Sequence, residues 1–141
     1  PDMMDKDKIF KLFSDGKEPD DKQTKEEIKE FMEGPYAKMG MFVKLIQNHH
    51  VFHLKLEKFL KREQPDYNVE STKEASEFTI YSRAWSYIEQ IDINSNDDIE
   101  AIISFDKKLL NSTLKGAVQY FEDLEDYEKC AHLFGIQKLL K

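Results

Sequence analysis

PYAKMGMFVKLIQNHHVFHLKLEKFLKRE, residues 35–63, decides the fold class. Phe42, Leu45, Ile46, Phe52, Leu56, Phe59 and Leu60 recur at intervals of three and four, the period of one face of a helix rather than the alternation of a strand. Pro35 suits a first helical turn, because its missing N–H falls among donors that have no helical partner anyway. Pro65 stops the run. The spacing therefore predicts one long helix from Pro35 to about Glu63.

Upstream, Gly34 closes a shorter helix that Thr24 to Glu27 opens in capping-box form, with Ile28, Phe31 and Met32 behind it at helical spacing. Still earlier, Ile9, Phe10, Leu12 and Phe13 predict a helix of about two turns over residues 5–15, too short to stand alone. A polar linker carrying Pro19 follows it. Residues 1–23 are thus expected to form an N-terminal arm, and 24–141 a single domain.

Downstream, Ser71 to Glu74 has the form of a second capping box, followed by Ala75, Phe78, Tyr81, Trp85 and Ile88 on one face. Asn96 or Asp97 can cap a further helix carrying Ile99, Ile102, Ile103, Leu110, Leu114, Ala117 and Phe121, with a bend at Asn111 and Ser112. A last helix starts near Asp126. No stretch alternates with period two over a strand's length. The expectation is an all-α fold, an antiparallel bundle of about four helices with an N-terminal helical arm.

Composition agrees. The 141 residues are 40% apolar and 35% charged with five Gly and four Pro, a balance that fits a packed domain and neither a disordered nor a collagen-like chain. No apolar run approaches the ~18 residues needed to cross a bilayer. Cys130 is the one cysteine, which leaves no intramolecular disulfide and suits a reducing, cytoplasmic setting. The net charge of -7 is divided unevenly, with -3 on residues 1–30, +3 on 31–64 and -7 on 65–141. Lysine outnumbers arginine 19 to 2, which disfavours reading of nucleic-acid bases, where arginine's bidentate fork is the better tool.

Three of the four histidines fall within five positions, in NHHVFH, residues 48–53. At ~100° per residue with Phe42 as zero, His49 falls near 340°, His53 near 20° and His50 near 80°. Histidines one turn apart can share a metal ion in a bundle core. The other ligands are lacking: no Glu-x-x-His pair occurs, His50 stands where a His-Glu-x-x-His motif needs glutamate, with Val51 and Phe52 after it, and Cys130 and His132 lie on different faces of one helix. Packing or recognition is the expected role of these imidazoles, with His49 and His53 the candidates for a metal. DINSNDDIE, residues 92–100, begins like a calcium loop. It has Asp97 where that loop needs glycine and Ile103 where it needs the bidentate glutamate. Asp97 and Asp98 suit a helix N-terminus instead.

LEDYEKCAHL, residues 124–133, resembles the UVR motif, a helical hairpin used for protein contacts, on Tyr127, Glu128, Ala131 and Leu133 over the region 114–140. It departs from that motif at Phe134 and Gly135, where Arg-Asp is usual. The same letters resemble one tetratricopeptide unit, a fold that needs stacked repeats. Both resemblances imply a helical hairpin with Tyr127 and Ala131 against the preceding helix, and an interaction role. Cys130 has no activating base nearby in sequence and reads as a structural thiol.

With no complete catalytic constellation, the expected function is non-enzymatic: binding of another protein as adaptor, regulator or inhibitor, without a cofactor. The expected contact residues are His50, Lys55 and Lys58 on the basic helix and Glu122, Asp123, Glu125, Asp126 and Glu128 in the acidic C-terminal half. Division of charge also allows self-association. The alternatives are a metal-binding bundle centred on His49 and His53, or an acidic mimic of nucleic acid.

Overall fold

A computed structural model describes residues 22–141 as six α-helices. In chain order they are α1 (Lys22–Glu33), α2 (Pro35–Glu63), α3 (Val69–Ile88), α4 (Asn96–Ser104), α5 (Lys107–Asp123) and α6 (Tyr127–Lys138). No strand occurs among the described residues, and the all-α reading is correct. The expected short helix over residues 5–15 lies outside the described residues. Lys22 and Gln23, placed in the arm by sequence, already belong to α1.

The long helix α2 has the predicted ends. Gly34 is its N-cap with Pro35 in the first turn, and Gln64 closes it by donating its N–H to the Leu60 carbonyl at 2.8 Å. Asn68 caps α3, not Ser71. Its Oδ1 accepts from the Ser71 N–H at 3.2 Å, so Ser71 is a donor within the first turn. Thr24 likewise lies inside α1, not at its cap. Ser95, one residue before the expected Asn96, caps α4 by accepting from the Asp98 N–H at 3.5 Å. Asp98 reaches back to the Asp92 N–H at 2.7 Å, while Asp92 accepts from Asn94 at 2.9 Å. The calcium-like stretch is therefore an Asx turn joined to a helix start, with the carboxylates of Asp92 and Asp98 already bonded to backbone donors.

The single helix expected over 96–121 is two. The Phe105 N–H still bonds back to Ala101 and Ile102, but Phe105 turns extended and the Asp106 side chain caps α5 through the Leu109 N–H at 3.1 Å. Asn111 and Ser112 lie inside an unbroken α5. Asp126 caps α6, with Glu125 before it at φ 60 in the left-handed region.

The core lies toward one end of the molecule. Met39, Phe42, Val43 and Ile46 of α2 meet Ala84 and Ile88 of α3, Ile102 of α4, Leu110, Leu114 and Phe121 of α5, and Leu133 and Ile136 of α6. Trp85 and Tyr81 stand over Phe121, and Tyr81 stacks on Tyr120 at 4.2 Å between centroids. Only His53 is buried between Gln47 and Arg83. Ala75 and Phe78, expected on the packed face of α3, are exposed because α4, α5 and α6 do not extend far enough to cover them. The α2–α3 hairpin projects past the core.

Candidate interaction groove on the α2–α3 hairpin

Most of the large apolar residues of α2 fall in an arc of about 200° at ~100° per residue, from Met41 and Phe59 round to Val43, with Tyr36, Val51 and Leu54 outside it. A surface helix with one neighbouring layer ordinarily shows about half of that. One side of the arc, carrying Phe42, Val43 and Ile46, is filled by the core. Gln47 on the same side donates to Thr113 Oγ1 of α5 at 2.9 Å. The other side carries Met41, Leu45, Phe52 and Phe59, spaced by four, seven and seven residues; Leu45 is half-buried against the core, while Phe52 and Phe59 are exposed.

Here a groove of about 670 Å³ runs between α2 and α3. Met41, Leu45, Phe52 and Ile80 give it an apolar lining, with Ser76 and Thr79 of α3 on one side and Lys44 and Asn48 of α2 on the other. Phe52 is 63% exposed and Phe59, farther along, is exposed too. An apolar groove with a bulky side chain exposed at its rim is a candidate contact surface. Along the outer margin of α2, Lys44, Lys55 and Arg62 fall within about 20° of one another. Among the described residues Lys44, Lys55 and Lys58 make no ion pair, whereas Lys61 pairs with Glu57 and Arg62 with Glu63.

The histidines separate. His49 sits half-buried at the groove and stacks on His53 at 5.9 Å between centroids. Burial holds the His49 imidazole below its ordinary pKa, helped by His53, His50 and Lys73 and opposed by Glu77. His53 is 6% exposed, and its Nε2 finds no partner among the described residues. His50 is exposed on the far flank of α2 from Phe52. Among the described residues no group of three or more His, Cys, Asp or Glu side chains could hold an ion. Cys130 Sγ donates to the Val118 carbonyl at 3.5 Å. Burial, with Glu122 and Asp126 nearby, pushes its thiol above the usual range, the reverse of an activated nucleophile. His132 Nε2 lies 2.7 Å from the Ile88 carbonyl and its ring meets Trp85 edge-on.

The acidic candidates cluster at the α5–α6 corner. Glu122, Asp123, Glu125 and Glu128 are exposed around Leu124 and Tyr127, which are themselves 56% and 64% exposed. Asp126 is engaged locally: it caps α6 and pairs with Lys129, which hold its carboxyl below the ordinary value. The corner is a helical hairpin, but Tyr127 and Ala131 face solvent, and Cys130, Leu133 and Ile136 pack inward instead. A second cavity, about 440 Å³, sets Glu27, Glu30, Asp97 and Glu100 around Phe31 and Tyr36.

The spacing groups Phe52 with the core residues, and the structure leaves it exposed, whereas Leu45 does pack against the core; Met41, Lys44 and Leu124 carry no signal of their own in the sequence, and Tyr127, expected against the preceding helix, faces solvent. The signal for the groove was the width of the α2 arc, which one layer cannot cover. No helix among the described residues is long and apolar enough to cross a membrane. Comparison with protein-family models, curated proteins and solved structures finds no match.

Proposed function

We propose that the protein works by binding another protein, as adaptor, regulator or inhibitor, rather than by catalysis, and that the α2–α3 groove is its contact surface. The observation that carries this reading is the groove lined by half-buried Met41, Leu45 and Ile80, with exposed Phe52 projecting at its rim. Such a surface costs solubility while open and contributes binding energy once a partner's side chains exclude water from it. The hydroxyls that line the groove are engaged locally, Ser76 donating to the Thr72 carbonyl at 2.7 Å and Thr79 to the Ala75 carbonyl at 3.3 Å, and His49 serves this reading as a recognition group at the edge.

The test is a photoreactive side chain at position 52, compared with the same group at exposed Lys115 on α5. Irradiation in the native host should give discrete protein adducts from position 52 and none from position 115. With the captured protein purified, Phe52→Glu should weaken binding by about tenfold or more. Equal labelling from both positions, or none from position 52, overturns the reading.

A further inference from the structure

We propose that the groove receives the acidic α5–α6 corner of a second copy of this chain, an inference that rests on the groove's being a contact surface and names its occupant. Two features of one molecule fit one another. The groove offers an apolar floor with Lys44 at its edge, continued along α2 by Lys55 and Arg62. The corner offers two large side chains, Leu124 and Tyr127, standing out of a ring of carboxylates. Among the described residues Glu122, Glu125 and Glu128 have no ion-pair partner of their own, as Lys44 and Lys55 have none.

Leu124 ends α5 and Tyr127 begins α6, so the turn presents both side chains from one tight corner. The groove is an open trough between two helices rather than a closed cavity, wide enough for bulky side chains to enter from outside. Glu125 sits between the two in a left-handed backbone conformation that an ordinary side chain adopts at some cost. Glycine or asparagine would hold that turn more easily, and glutamate adds a carboxylate where it meets the lysine margin of the groove. Opposed charges of this kind steer approach and exclude wrong partners more than they add affinity.

Groove and corner are different patches, so the contact is head-to-tail, and each copy carries one of each. The assembly then closes as a reciprocal pair or a ring, or continues as a line. Carboxylates that the chain gathers at its C-terminal half meet the lysines it gathers on α2, which accounts for the uneven division of charge along the sequence.

The experiment is sedimentation and light scattering of the full chain over a wide range of concentration at low and high salt. Wild type should associate reversibly, and added salt should weaken it. Phe52→Glu, which blocks the groove, and Leu124→Ser with Tyr127→Ser, which blunts the corner, should each raise the dissociation constant about tenfold or more. Circular dichroism should show unchanged helix content, since all three positions are exposed. The deciding step mixes the two variants: each remains monomeric alone, and together they form a one-to-one pair, through the intact groove of one and the intact corner of the other. A wild type that stays monomeric at every concentration, as it would if residues 1–21 or an unrelated protein took the groove, overturns the inference. So does a mixture that fails to pair. If position 52 nevertheless cross-links another protein, the contact surface stands and only the identity of its occupant falls.

Discussion

His53 is buried against the His49 ring with its Nε2 unsatisfied among the described residues, the one buried residue in the projecting part of the α2–α3 hairpin. A buried polar atom without a partner costs about 1–3 kcal/mol, while an apolar replacement of similar shape removes that cost. His53→Leu should therefore raise stability by about 1 kcal/mol in urea unfolding. His49 answers to pH. Its native imidazole is harder to protonate than in the unfolded chain, so below about pH 6.5 the unfolded state binds more protons and stability falls. The loss begins as pH drops through that ordinary value and is complete once the native ring also titrates. His49→Gln should flatten this part of a stability–pH curve recorded between neutrality and pH 5. In the core, Leu114 is fully enclosed, and Leu114→Ala should cost about 2–5 kcal/mol.

Four of the helices begin where a short polar side chain caps them, Asn68, Ser95, Asp106 and Asp126. Asp106 divides α4 from α5, and Asp106→Ala should cost about 1 kcal/mol by leaving the first-turn N–H of Leu109 without its acceptor. Gly116 lies inside α5 with room beside it, since an added Cβ would come no nearer than 3.9 Å to Tyr81 Oη. Gly116→Ala should stabilise by about 0.5–1 kcal/mol, seen as a higher melting temperature. The ends of α2 were legible because two prolines bracket it. The division at Phe105 was hidden because α4 and α5 feed the same core: Ile102 and Leu110 both point into it, and their spacing runs across the joint. Asn68 was passed over for Ser71 because a Ser-x-x-Glu pattern two turns from a proline reads as a cap whether or not a better acceptor precedes it. The groove was not legible residue by residue: Phe52 has the spacing of a core residue, and only the arrangement of the other helices decides which side of α2 is covered.

At the scale of the molecule, stability is graded along the α2–α3 hairpin. Its base shares the core with α4, α5 and α6, while its far half rests on two helices and the enclosed ring of His53. Hydrogen exchange should follow this gradient, with amides of residues 54–63 and 70–78 exchanging ahead of those at 39–46, 84–88 and 110–121. Association through the groove should slow exchange over residues 41–52 and 76–80, which line it, and leave 54–63 unchanged.

The connection over residues 64–68 joins α2 to α3 at the outermost point of that hairpin, exposed along its whole length. A chain opened or lengthened there loses a link but little packing. It is the natural place to splice in a reporter or to move the termini, and a version re-cut at this seam would keep its core while freeing the two halves of the lever to move apart.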